Sequence, residues 1–335
     1  MGARARRLSA AGPPQGARPL GGAARSAVRG EHASAPRCVA VALVALAGLA
    51  GCAGEPPASA VRAAAPPIPF VDAHVHLNDA AMQLDLMSAN AIPKAVVFWG
   101  RAGDNDTVLA AARAQPDRFI PFASVSPERR AYRDLWARDD PALVRALEAA
   151  LESGGFRGIG EISVSHFPGA GFPEADFSPA GPAMAGIMDL ARRYRLPVLV
   201  HCEITRMAEL EALLAAHRDV AVIWAHGGYT PYFLARRFIE RHPNLTYELS
   251  ARTWRHHPRS PEYTIFMTDD AVWPEWLKLI EDHPTRFVVG TDAGNHSRAA
   301  DQQRIDSVRA LLAQLPEPAR SLVARENLLR LVGAR

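Results

Sequence analysis

From residue 69 onward the chain repeats one pattern: a short run of almost wholly apolar residues, then a stretch with helical character. Eight such runs can be marked, at about 69–77, 91–99, 118–125, 156–162, 197–201, 220–226, 244–249 and 286–292. Runs this short and this uniformly apolar read as strands buried on both faces, which is the habit of parallel sheets covered by helices. Between them lie helical segments such as 106–115, 182–193, 206–217, 231–241 and 274–282, and a longer one broken near Asp139-Asp140-Pro141. Eight strand–helix units suit a (β/α)8 TIM barrel of about 250 residues. Two C-terminal helices, at about 298–314 and 318–332, would finish it. An open doubly wound sheet is the alternative, but no Gly-x-Gly-x-x-Gly follows the first run, so a dinucleotide fold has no direct support.

The residues before this body have a different character. The chain of 335 residues carries a formal charge of +3, but residues 1–37 alone hold seven arginines and a single acid, Glu31. The remainder is therefore slightly acidic, and nothing in it advertises a nucleic-acid partner. Val39 to Gly51 is an uncharged apolar run, too short to span a bilayer and suited to the core of a signal peptide. It ends in Leu49-Ala50-Gly51-Cys52, which resembles the lipobox of bacterial lipoproteins. That resemblance implies a leader and lipoprotein signal peptide over 1–51 and lipidation, including palmitate, at Cys52. An Ala/Pro-rich tether over 52–68 would follow, leaving the barrel at 69–335. The mature protein would be exported, anchored to a bacterial membrane and facing the periplasm. Its remaining thiol, Cys202, is expected to be buried between strand and helix.

A barrel carries its chemistry at the C-terminal ends of its strands. The first strand ends in Asp72-Ala73-His74-Val75-His76, and alternation along a strand puts Asp72, His74 and His76 on one face. Two imidazoles so placed can share one divalent ion if further ligands arrive from elsewhere. Other strand ends supply Glu161, His201, His226 and Asp292. Each is weak alone; six metal-capable residues at five strand ends point to a metal site. His217, His242 and His283 fall instead at helix C-termini, where imidazolium complements the dipole.

These segments carry a resemblance. Val71 to Leu77, Gly160-Glu161, Val200-His201-Cys202, Ala225-His226-Gly227-Gly228 and Gly290-Thr291-Asp292-Ala293 are similar to the motifs of the amidohydrolase superfamily. The similarity extends to Glu326-Asn327-Leu328-Leu329-Arg330-Leu331, which resembles that superfamily's closing helix. It implies that His74 and His76 bind a deep metal, that His201 and His226 bind a second, that Glu161 bridges the two, and that Asp292 is both ligand and general base. The type 2, amidohydrolase-related branch often uses a single ion without the glutamate, whereas Gly-Glu-Ile is closer to the TatD-like branch; one or two ions, Zn2+ foremost, are expected. Asp72 is either an orienting partner of a ligand histidine or a plain strand-start carboxylate.

Around this site Phe98, Trp99, His166, Arg252, Trp254, Arg255 and His296 are candidates for substrate contact, the arginines and His296 for a carboxylate or phosphate. Solvated loop residues or packing are the alternatives. The expected activity is metal-dependent hydrolysis of a small lactone, amide or phosphoester. A metal-dependent decarboxylase of the same superfamily is second, a TatD-like nuclease third, and a non-catalytic binding lipoprotein the alternative outside enzymes.

Overall fold

The computed structural model describes residues 67–100, 104–125, 132–168 and 174–333. The leader, the lipobox-like segment with Cys52 and nearly all of the tether lie outside these residues. Among the described residues no helix is long and apolar enough to cross a membrane.

Eight parallel strands form the barrel wall: β1 (Asp72–Leu77), β2 (Ala95–Trp99), β3 (Phe119–Ala123), β4 (Gly158–His166), β5 (Val198–Cys202), β6 (Val222–Trp224), β7 (Leu245–Glu248) and β8 (Phe287–Val288). They are hydrogen-bonded in that order. The ring closes where Ala73 N donates to Val289 O at 3.0 Å and His76 N donates to Ala293 O at 2.8 Å. Helices α1 (Ala80–Ala89), α2 (Asn105–Ala114), α3 (Tyr132–Ala137), α4 (Ala142–Glu152), α5 (Pro182–Tyr194), α6 (Met207–Ala216), α7 (Tyr232–Arg241), α8 (Pro274–Asp282) and α9 (Arg298–Leu312) surround it. This is a TIM barrel, as the strand–helix alternation predicts.

The strand runs are continuously apolar because both faces are buried. On β2, Ala95 and Val97 face outward into the layer under the helices, as Val198 and Val200 do on β5, while Val96 and Phe98 fill the interior with Phe122, Leu199, Ile223 and Val288. Each such side chain removed from water contributes on the order of 2 kcal/mol. The bottom is stoppered by Leu328 and Val332 of the terminal helix. Asn327 anchors that helix by donating to Pro284 O (2.7 Å) and Phe287 O (2.8 Å). With the lower barrel filled by hydrocarbon, inward positions near the upper strand ends are left for polar groups.

Three local departures from the expected pattern matter. First, β1 does not alternate cleanly: its register shifts between Asp72 and Val75, and Ala73 joins the inner cluster. The reason is Asp72, whose Oδ1 accepts from His74 N (3.1 Å) and Thr291 N (2.9 Å) and breaks the regular ladder. Second, β4 runs past Ile162 to His166, because Ser165 and His166 pair with a short antiparallel strand, Ala175–Asp176. Third, β8 is only Phe287–Val288, since the chain leaves regular pairing before Gly290. A Cβ on Gly290 would stand 2.6 Å from Glu248 Oε1 and 2.9 Å from His74 Cβ, so only glycine lets the strand pass this close to β1 and β7.

Candidate metal centre

The inward parity of each strand, carried one step above the apolar filling, puts six donors around one space. On β5 Leu199 is inward and buried, and two residues later His201 points the same way. On β1 the bulge turns His74 inward against Phe98, the ring centroids 5.1 Å apart, and His76 follows at 4.8 Å from the same ring. Glu161 rises from β4. His226 and Asp292 sit just beyond β6 and β8, both at φ 54°. That left-handed conformation strains residues with a Cβ, and strain of this kind persists where surrounding structure over-determines it, as at functional sites. Gly227, next to His226, is at φ 50°, and a Cβ there would stand 1.7 Å from the Tyr247 ring.

The geometry is organised about Glu161. Its Oε2 stands 3.7 Å from His74 Nε2 and 3.5 Å from His76 Nε2. Its Oε1 stands 2.9 Å from His201 Nδ1 and 3.7 Å from His226 Nε2. Asp292 Oδ1 completes the first group, 3.2 Å from His76 Nε2 and 3.5 Å from His74 Nε2. One carboxylate oxygen thus faces each histidine pair.

Most of these separations are too long for good N–H···O hydrogen bonds. They are about the spacing of ligands on one ion: donors about 2.1 Å from a tetrahedral metal stand roughly 3.4 Å apart. His74 is wholly buried, yet neither ring nitrogen makes an aligned hydrogen bond. Buried polar atoms without partners are rare and point to an ion or water in the native site. The combinations His74/Glu161/His226 and His74/His76/Asp292 each bring their ligand atoms within 4.8 Å of one another. Imidazole nitrogens and carboxylates are the donor set of zinc and similar divalent ions. The residues therefore fit a metal.

Electrostatics agree. Burial pushes the Glu161 and Asp292 carboxyls up, but the neighbouring histidines outweigh it and hold both well below the usual carboxylate range. Burial pulls the His74 and His201 rings down; Glu161, with Glu248 for His74 and Glu203 for His201, outweighs it, leaving His74 well above its ordinary value and His201 at about 9. A cluster this rich in carboxylate holds positive charge whether as protons or as a cation.

A family model described as Amidohydrolase matches residues 75–334. The chain belongs to the amidohydrolase family. A search of curated protein sequences finds no match for this amidohydrolase. Among solved structures it is similar to an uncharacterised TIM-barrel protein from Bordetella bronchiseptica, with 14% identity and a TM-score of 0.58, covering 79% of this chain and 98% of that one. It is similar to YjjV, a TatD homologue from Escherichia coli K12, at 17% identity and a TM-score of 0.56, over 79% and 98% of the two chains. It is also similar to a 2,6-dihydroxybenzoate decarboxylase complexed with 2,6-dihydroxybenzoate, at 14% identity and a TM-score of 0.52, over 80% and 99%. At these identities the likeness is one of fold.

Behind the candidate ligand atoms of this amidohydrolase lie further carboxylates that reading the strand ends alone does not reveal. Glu248, the last residue of β7, places Oε2 3.3 Å from His74 Nδ1. It also accepts from Ser250 N (2.6 Å), Ser250 Oγ (2.6 Å) and His226 N (3.1 Å). His226 Nδ1 in turn stands 2.9 Å from Ser250 Oγ. Glu203, two residues beyond His201 and so on the same face, places Oε1 3.2 Å from His201 Nε2. Arg259 Nη1 donates to that Glu203 oxygen at 2.9 Å. Both histidines nearest the centre thus have Glu161 on one ring nitrogen and another carboxylate on the opposite one, the arrangement that fixes a ligand's tautomer and direction.

The other candidates are dispersed. His166 lies at the mouth, Nε2 2.6 Å from Arg259 Nη2, and Trp254 stacks on His257 with centroids 5.3 Å apart. Trp99 is half-buried and packs with the outer core. His296 is exposed, 3.5 Å from the Asn78 amide. Arg255 reaches toward Asp270 at 3.8 Å. Arg252 is buried to one side, donating to Thr230 O at 2.9 Å and lying over the Trp276 ring at 5.1 Å. An aromatic wall of Tyr229, Tyr263 and His257, with Arg259 across it, adjoins the histidines; Tyr229 stacks on His226 at 5.3 Å and on Tyr263 at 4.4 Å. Cys202 is buried in the outer core, and burial pushes its thiol up to about 12.

Proposed function

We propose that this amidohydrolase is a hydrolase of small carbonyl compounds, lactones or amides first and phosphoesters second, working with two divalent ions, Zn2+ foremost. The observation that carries the proposal is the division of Glu161, one oxygen toward His74 and His76 and the other toward His201 and His226. His74, His76 and Asp292 would hold one ion, His201 and His226 the other, with Glu161 common to both. Divalent ions held there supply Lewis-acid polarisation of the substrate oxygen and bring the pKa of a water from about 16 to about 7.

The chain's own groups do the rest. Asp292, ionised and at the mouth side of the cluster, accepts the proton of the attacking water and returns it to the leaving oxygen or nitrogen. Glu248 and Glu203 keep His74 and His201 aimed. The wall formed by Tyr229 and Tyr263 shields the reacting group from bulk water, and Arg259 with His166 offers positive or hydrogen-bonding character to a polar substituent. A decarboxylase is the second reading, favoured by that Arg259–His166 pair, which suits a substrate carboxylate. It ranks second because Glu161 gives the site a full second set of ligands.

The test is a screen of the zinc-loaded protein against lactones, amides, phosphoesters and aryl carboxylates, with products read by mass. Addition of water that disappears in Asp292→Asn supports the hydrolase; loss of 44 mass units, as CO2, would replace it by the decarboxylase. From Leu49-Ala50-Gly51-Cys52 we further propose export and lipid anchoring at Cys52. Radiolabelled palmitate should enter the wild-type chain in a bacterial host and not Cys52→Ser.

A further inference from the structure

Beside the barrel mouth, and sharing no lining residue with the histidine cluster, lies a second cavity of about 670 Å³. It is bounded by the start of α7, the start of α8 and the long segment after β7, and its walls include Arg252, Arg255, Tyr232, Phe266, Trp273 and Trp276. We propose that this cavity binds a small organic carboxylate with an apolar body, independently of the metal centre.

Arg252 is the reason. It is 98% buried, since only 2% of its surface reaches solvent. Its Nη2 donates to Thr230 O, but Nε and Nη1 have no hydrogen-bond partner. Among the described residues no carboxylate stands within 4.0 Å of its guanidinium. Glu262, Asp269 and Glu275 also line the cavity; Glu262 is bonded by Ser260 Oγ, and Asp269 faces His256 at 3.6 Å. A buried guanidinium without an acid is costly unless an anion completes it, and planar N–H donors suit a carboxylate. Arg255 adds a second buried Nε without a partner.

Two further features point the same way. The first turns of α7 and α8, helices of 10 and 9 residues, both open on the cavity, so the positive ends of two helix dipoles face it. Beside these acids and two threonines, much of the rest of the wall is apolar. Trp276 lies under the guanidinium, Phe266 is buried, and Met267 and Trp273 are 47% and 46% exposed at the rim, unusual for such large apolar side chains. A carboxylate at Arg252 with a hydrocarbon or ring against Trp273, Met267 and Phe266 satisfies both halves of the site.

The probe is octanoate, titrated into the zinc-loaded full chain while tryptophan emission is followed, with octan-1-ol as its neutral match. Octanoate should give a saturable change with half-saturation below about 1 mM, and octanol should bind at least about tenfold more weakly. Arg252→Met should weaken octanoate about tenfold or more without altering octanol. Because a buried substitution can disturb folding, two further variants accompany it: Arg255→Met should weaken octanoate without altering octanol, and the rim variant Trp273→Ala should weaken both, while circular dichroism stays native. Binding should survive Asp292→Asn and removal of the metal. No saturable response up to about 10 mM, equal binding of octanol, or loss of binding on metal removal would overturn the proposal.

Discussion

Glu248 Oε2 stands 3.3 Å from Nδ1 of His74, and both side chains are wholly buried. The contact sets which face of the imidazole looks toward Glu161 and Asp292, because the carboxylate favours a proton on Nδ1 and leaves the Nε2 lone pair for a cation. It also joins β7 to β1 across the barrel, through a residue that Ser250 and His226 N bind from the other side.

Glu248→Gln should therefore weaken the centre without dismantling it. Glutamine keeps the shape but loses the charge that orients His74. Metal affinity is expected to drop about 10- to 100-fold, measured by competition with a chelating dye, while circular dichroism is unchanged. Unaltered affinity would reduce Glu248 to a packing residue.

Asp292→Asn tests the proposed role of Asp292 as proton carrier. The amide can still sit among the histidines but cannot accept a proton, and turnover on any substrate found should fall by about 10²- to 10⁴-fold with KM changed far less. A variant retaining full activity would remove Asp292 from the chemistry.

Metal affinity should rise with pH. The His201 ring is held at about 9, so below that value a cation must displace its proton. Each displaced proton steepens the dependence to about tenfold per pH unit. Titrations at pH 6, 7 and 8 should show affinity climbing steadily, with protons released into a weak buffer. A flat profile would mean that His201 is not displaced from its proton, and so is not a ligand.

Asp72 is a structural tie. Its Oδ1 accepts from His74 N and Thr291 N, and its Oδ2 accepts from Thr291 Oγ at 2.6 Å, which binds the first strand to the segment that carries Asp292. Asp72→Ala strands those buried donors and should cost about 3 kcal/mol in urea unfolding. Burial pushes the Asp72 carboxyl up to about 7. Folding therefore takes up a proton at Asp72 between about pH 4 and 7, and stability should decline as pH rises through that window. Asp72→Asn should lose this part of the pH dependence.

Much of this architecture is legible in the residues. Uniformly apolar runs such as Val198-Leu199-Val200 announce a strand buried on both faces, and eight of them in alternation with helices leave few folds. The paired histidines of β1 are visible for the same reason, as two donors a strand repeat apart. Glu248 was open to the same reading, being the last residue of its strand, and Glu203 follows His201 by two. Arg259 was not, because its position depends on the path of a long segment after β7 that no periodicity encodes. The bulge at Asp72 was hidden too: it arises from bonds to Thr291, more than two hundred residues away. Arg252 and Arg255 read as candidates for substrate contact, and the burial of Arg252 depends on the path of that same segment.

If Glu161 serves two ions, metal content shows it most directly. After zinc loading and removal of free ion, mass spectrometry of the metal should count about two Zn2+ per wild-type chain, and about one or fewer in Glu161→Gln, whose amide cannot bridge two cations. One ion per chain in both proteins, or none in either, would contradict the bridged centre.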